Sequence, residues 1–275
     1  MKDITLGQYY PVKSPIHSLD PRAKIVSAIL LVVSVFLCGT FLGLGICAFT
    51  ICAVAFTAHI PFGRMLQSLK GIMFLLLFTF ILNMFFTQSG DVIFAVWKIT
   101  LTTGGVLHAL FMTLRLMLLV VGAGLLTYTT SPIELTDGLE NLMSPLKVIG
   151  FPAHEIAMMM SIALRFIPIL AEETDKIMKA QSARGAVFDE GNIFKRAMAM
   201  VALLVPLLVS AFRRADELAL AMEARCYHGG EGRTRLKELK FRRRDGVALI
   251  IMLAFLAFAI IDKVLIRAYL PFLVA

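Results

Sequence analysis

Two arginines sit in surroundings that could do chemistry. DKIMKAQSARG (Asp175–Gly185) and DELALAMEARC (Asp216–Cys226) align without a gap at an offset of 41 residues, so Arg184 matches Arg225. In each copy an apolar residue, the residue four later and the arginine fall at i, i+4 and i+7, one helical face. These are Ile177, Gln181, Arg184 and Leu218, Met222, Arg225. Ala183 and Gly185 flank the first arginine and Ala224 and Cys226 the second, which leaves both approachable. A guanidinium is a planar fork of donors suited to bidentate, charge-assisted contact with a carboxylate. A single arginine near a helix C-terminus gains roughly 0.3–1 kcal/mol from the macrodipole and needs no partner. Two in the same setting point further, to a paired docking site in which two helix ends enter two similar acidic grooves. Gly185, and Gly229-Gly230 after the second copy, supply the helix stops.

The elements that must position these ends are set by the composition. Of 275 residues, 59% are hydrophobic and only 17% charged, with a mean hydropathy of +0.82. A typical soluble domain carries about 25% charged residues, so an ordinary soluble enzyme and a disordered regulator are both excluded. A bilayer core needs about 20 mostly apolar helical residues. The run Ile25–Ala58 has no charge and is long enough for two short spans, about 24–38 and 40–58, turning near Gly39-Thr40. Further spans follow at about 71–87, 106–128 and 246–262. Between them, 59–70 reads as an inner connection and 88–104 as an external loop along the headgroups. The chain is thus expected to be an all-α polytopic membrane protein with about five transmembrane helices. Its regions are an N-terminal membrane part (1–128), a cytoplasmic or interfacial helical part (129–245) and a C-terminal span (246–275).

Charge orients this map. The formal charge is +8, and 176–244 alone holds 15 of the 27 basic residues. Lys98 is the one basic residue of the outer loop, and Lys263 and Arg267 lie in the outer tail. The positive-inside rule therefore places the N-terminus and 129–245 in the cytoplasm, and the basic excess indicates orientation rather than a nucleic-acid partner. The polar residues 1–24 lack the apolar core and cleavage site of a secretory signal. Two stretches, 156–171 and 197–212, are nearly membrane-like but about 16 residues long. That shortness favours helices lying along or under the membrane, with one greasy face covered by lipid or protein. A pair of extra spans would preserve the same orientation. Met158, Met159, Met160, Met198 and Met200 suit a surface that repacks against a partner, and suit ordinary core filling equally.

Enzymatic chemistry finds little support. No GxxxxGK followed by Ser or Thr occurs, the five histidines are scattered, and no HExxH is present. Glu134, Asp137 and Glu140 are spaced as a solvated or N-terminal helix face. The four cysteines show neither metal-ligand spacing nor a disulfide framework. Arg115 lies inside the fourth span, where a structural ion pair or a backbone carbonyl partner is favoured over a transport role, because no acidic residue is placed in the other spans. Asn83 needs only a helix hydrogen bond, and Gly39–Gly43 is a weak packing signal. A self-contained secondary transporter or channel is the competing reading. It calls for ionisable residues near the midplane or paired half-length helices, whereas the repeat here lies in the charged region.

With these residues in place, the sequence resembles the transmembrane T component of energy-coupling factor transporters, importers of vitamins and transition-metal ions in prokaryotes. The resemblance rests on Leu19-Asp20-Pro21-Arg22-Ala23-Lys24, on Arg165-Phe166-Ile167-Pro168 with Ala180-Gln181-Ser182-Ala183-Arg184-Gly185, and on Met222-Glu223-Ala224-Arg225-Cys226-Tyr227. It implies a non-catalytic plasma-membrane subunit that joins two ABC-type ATPases to a membrane-embedded substrate-binding S component. It also implies that the chain binds no cofactor, ATP being held by the partner ATPases. Ala183-Arg184-Gly185 would dock one ATPase and Ala224-Arg225-Cys226 the other, while the methionine-bearing stretches would face the S component. The family's second motif often has glycine after its arginine; this chain has Cys226, which leaves the local helix ending open.

Overall fold

The computed structural model describes residues 9–87, 91–96, 99–186, 188, 192–229 and 239–269. The described residues fall into two units, one within Gly7–Gly138 and Leu239–Ala275 and the other within Leu139–Glu238. Among the described residues the chain is helical apart from one short two-stranded ladder, an all-α polytopic membrane protein.

In the first unit, α1 (Pro21–Leu37) is the hub, packing against α2 (Phe41–Thr57), α5 (Thr103–Thr129) and α9 (Arg243–Tyr269). Its start is encoded locally. Asp20 caps it by accepting from the Arg22 N–H at 2.9 Å, and Pro21 takes the first helical position, where no N–H is needed. Its end falls at the Gly39-Thr40 turn, where the Thr40 hydroxyl caps α2 by accepting from Gly43 N–H at 2.8 Å. The apolar core is built from Leu31 and Val35 of α1, Leu44, Cys47 and Ile51 of α2, Val121 and Leu125 of α5, and Met252 and Phe255 of α9. The Cys38 and Cys47 thiols, both free, meet in it at 3.5 Å.

The third expected span is the second half of a broken pair. α3 (Phe62–Lys70) and α4 (Met73–Phe86) are bent by 66° across Gly71-Ile72. Residues 59–70, read as a plain connection, thus carry a short helix whose Met65 and Leu69, four apart, form its buried face. α4 has no buried residue, and Phe74 and Phe86 are each 81% exposed, as lipid or a protein partner would require. Residues 88–104 also differ from the loop expected of them. They contain β1 (Val92–Val96) paired antiparallel with β2 (Ile99–Thr102), in keeping with the β-branched content of VIFAV and ITLT; Trp97 and Lys98 lie outside the described residues.

Charged side chains in this unit are engaged with backbone. Lys24, buried, donates from Nζ to the carbonyls of His17 (3.0 Å) and Thr129 (2.9 Å). Asp245, buried, accepts from Asp20 N–H and Arg242 N–H, both at 2.7 Å, which joins the start of α9 to the start of α1. At the opposite end of α1, Asp262 accepts from Gly39 N–H (3.1 Å), Thr40 N–H (3.3 Å) and the Thr40 hydroxyl (2.8 Å). Arg115 donates to the Cys38 carbonyl and lies over the Phe111 ring at 4.6 Å. The expected carbonyl partner of Arg115 is there. The premise that no other span carries an acid is corrected by Asp262, which closes the last one.

The second unit contains the rest of α6 (Pro132–Met143), a 3-10 turn (Ser144–Ile149), α7 (Ala153–Ala183) and α8 (Ile193–Glu223). Glu140, part of the expected solvated face, pairs instead with His154 Nδ1 at 2.9 Å. The stretches 156–171 and 197–212 are the middles of helices of 31 residues each. Their shortness therefore no longer argues against spanning. By length and composition α5, α7, α8 from Arg196 and α9 to Val264 could each cross a membrane, and the α3–α4 pair raises the number to five among the described residues.

Two predictions follow from these contacts. A Cβ at Gly43 would sit 2.6 Å from Asp262 Oδ2, so Gly43→Ala displaces the clamp at a cost of about 1–3 kcal/mol. In a double-mutant cycle with Asp262→Ala, the two costs combine to clearly less than their sum in denaturation of the detergent-solubilised chain. The second concerns His17, whose Nε2–H donates to the Tyr10 carbonyl (3.0 Å) while Nδ1 accepts from the Ser14 hydroxyl (2.7 Å). Burial, and then the nearby Lys24 ammonium, hold this imidazole below its ordinary pKa. A lowered folded pKa contributes stability above the unfolded value of about 6.5 and loses it as pH falls through the folded value. Stability should drop as the pH falls below about 6.5, and His17→Gln should flatten part of that drop.

Candidate functional site

The two repeated motifs fold into the same helix ending. In α7 the Gly185 N–H donates to Ser182 O and the Ala186 N–H to Gln181 O, both at 3.0 Å. In α8 the Cys226 N–H donates to Glu223 O (2.9 Å) and the Tyr227 N–H to Met222 O (3.1 Å). These paired 5→2 and 6→1 bonds are the Schellman cap, with the residue after the cap in the left-handed region. Gly185 has φ +90° and Cys226 φ +55°. The departure from glycine therefore leaves the ending intact, and Cys226 adopts a conformation that costs an L-residue roughly 1–2 kcal/mol. Arg184 and Arg225 both occupy the cap position itself. Each is exposed, and neither has an ion-pair or hydrogen-bonded side-chain partner among the described residues.

What holds the two ends in place is the packing of α7 against α8. Arg214 donates to Glu173 at 2.6 Å, and these residues are themselves 41 apart, the offset of the repeat. Equivalent positions of the two copies thus meet where the helices cross. Arg184 and Arg225 each lie eleven residues beyond that contact, about 16 Å of helix. Pro168 and Pro206 lie within the helices on the other side of the contact.

A cleft of about 640 Å³ lies between the first half of α7 and the end of α8. Leu218, Met222 and Arg225, the i, i+4, i+7 face of the second motif, line one wall; Met158, Ser161 and Arg165 line the other. The helices therefore run antiparallel here, and the two arginine ends lie on opposite sides of the crossing. Of the five methionines, Met158 belongs to the cleft, whereas Met159, Met160, Met198 and Met200 are exposed at 58%, 38%, 62% and 67%. Arg165 entered the sequence reading only through its motif. The available signal was its isolation, a single cation inside the apolar stretch 156–171. Among the described residues no group of three His, Cys, Asp or Glu could hold a metal ion.

Fold and site together define a multi-pass membrane protein with two matched, arginine-capped helix ends. Residues 12–236 match the CbiQ family model, described as a cobalt transport protein. The chain is similar to the energy-coupling factor transporter transmembrane protein EcfT of several bacteria. That of Acidaminococcus fermentans is 53% identical over 92% of this chain and 94% of its own length. Those of Clostridium kluyveri (49%; 96% and 98%) and Bacillus subtilis (48%; 94% and 98%) are alike over nearly their whole lengths. The chain belongs to the EcfT/CbiQ family, the transmembrane components of energy-coupling factor transporters.

Restoring glycine at the left-handed position should tighten the second ending. Cys226→Gly is expected to slow hydrogen exchange of the Tyr227 amide about fivefold, a gain of about 1 kcal/mol. Unchanged or faster exchange would show that the position carries no strain.

Proposed function

We propose that this chain is the scaffold of an ATP-driven importer of a vitamin or metal ion, coupling ATP hydrolysis on two ABC-type ATPases to movement of a substrate-binding S component. The supporting observation is the pair of identical caps, each presenting an arginine without a side-chain partner among the described residues. Ala183-Arg184-Gly185 docks one ATPase and Ala224-Arg225-Cys226 the other, each guanidinium meeting a carboxylate in a groove of its partner. The chain itself binds no cofactor; ATP resides on the ATPases. ATP binding and hydrolysis displace the two helix ends relative to each other. Apolar faces of α7 and α8, with the exposed Met159, Met160, Met198 and Met200 among them, carry that motion to the S component. The reading places the protein in a prokaryotic plasma membrane with the N-terminus and both arginine-capped ends on the cytoplasmic side, so that α7 and α8, though long enough to cross the membrane, lie along or under it.

A self-contained transporter or channel would need a free ionisable group in the membrane. Arg115 and Asp262, the candidates in the spans of the first unit, both hold backbone at the end of α1.

Charge reversal at both caps provides the test. Arg184→Glu with Arg225→Glu should abolish co-purification of both ATPases and substrate uptake, while leaving membrane insertion intact. A double variant that still retains both ATPases and supports uptake removes the arginines from the docking role.

A further inference from the structure

The two docking ends are chemically unequal, and the difference lies in Arg165. It lines the same cleft as Arg225, projecting from α7 where Arg225 projects from α8. His228 adds a third nitrogen group to the lining, and no lining residue is acidic. Neither guanidinium has an ion-pair or hydrogen-bonded partner among the described residues. Two like charges facing one cavity repel each other, and an anion between them turns that repulsion into two attractions. The repeat gives α7's own end no such companion. The counterpart of Arg165 in α8 is Pro206 at the offset of 41, or Leu203 if the prolines are aligned, and neither carries charge.

We propose that Arg165 and Arg225 form a two-guanidinium clamp for one carboxylate of the ATPase that docks at the end of α8, whereas Arg184 meets its ATPase alone. This rests on the docking function proposed above. The cleft suits a single acidic side chain with an apolar stem. Met158, Ile162 and Met222 supply apolar walls, while the two arginines and the Ser161 hydroxyl supply donors. Two forks on one carboxylate also cross-link α7 to α8 through the partner, so occupancy of this end ties the first half of one coupling helix to the tip of the other. The end of α8 is then the tighter and the more salt-sensitive of the two.

The test uses the full chain in nanodiscs of phosphatidylcholine and the two ATPase subunits that co-purify with it. Binding is compared for Arg165→Gln alone, in an Arg184→Gln background and in an Arg225→Gln background. In the Arg184→Gln background, where the end of α8 carries the binding, Arg165→Gln should weaken it about tenfold. In the Arg225→Gln background it should have little further effect. Arg165→Lys should recover only part of the loss, because it restores charge without the fork. An equal effect of Arg165→Gln in both backgrounds would mark a general weakening of α7 and overturn the clamp. So would no effect of Arg165→Gln while Arg225→Gln still weakens binding. An Arg165 effect that depends on phosphatidylglycerol in the disc would assign the cleft to a lipid headgroup instead. If neither Arg184→Gln nor Arg225→Gln alters binding, the docking function itself fails, an outcome distinct from the others.

Discussion

In a bilayer no water satisfies a free backbone N–H or C=O, so each helix end near the hydrocarbon must find a partner in the protein. In the membrane unit that partner is repeatedly a charged side chain. Lys24 takes two carbonyls, Asp245 and Asp262 take N–H groups on either side of α1, and Arg115 takes the carbonyl that follows it. Ions placed this way meet backbone dipoles held in fixed positions. The arrangement fixes α1 at both ends, and α1 in turn is the helix on which α2, α5 and α9 pack. The Leu19–Lys24 motif through which the family resemblance was drawn has a physical reason in this knot: Asp20 starts α1, Pro21 needs no donor, and Lys24 reaches the end of α5.

The second unit is organised on the opposite rule. Its backbone ends close on themselves through Schellman caps, and that frees the arginines at the cap positions from local duty. Cys226 sharpens the contrast, since the ending persists even where an L-residue has to enter the left-handed region.

Much of this was legible in the sequence, because the informative signals were local. The uncharged run from Ile25 to Ala58 and its break at Gly39-Thr40 predicted α1 and α2, and the spacing of two arginines in a repeat predicted two matching helix ends. What stayed hidden depends on partners far apart in the chain. Asp262 gave no sign of its role because the turn it holds is 222 residues away. Arg165 was quoted in a motif, but its meeting with the tip of α8 is a product of helix crossing. The 66° break at Gly71-Ile72 falls where the connection 59–70 meets the span 71–87, and what composition hid is that the connection is itself a helix, α3. Helix length misled for a related reason: the charged flanks of 156–171 and 197–212 extend the same helices instead of ending them.

The ion pair Glu173–Arg214 joins residues 41 apart, the offset of the repeat, two positions before the aligned segments begin. A fulcrum in that position divides the pair into two equal arms, each ending in an arginine cap. Swinging one helix about it opens one angle of the cross and closes the adjoining one, like the blades of scissors. Each pair of blades meets a helix tip on one side and the first half of the other helix on the other. If partners dock at the two tips, force applied there acts on the angle between two long helices whose exposed faces are largely apolar.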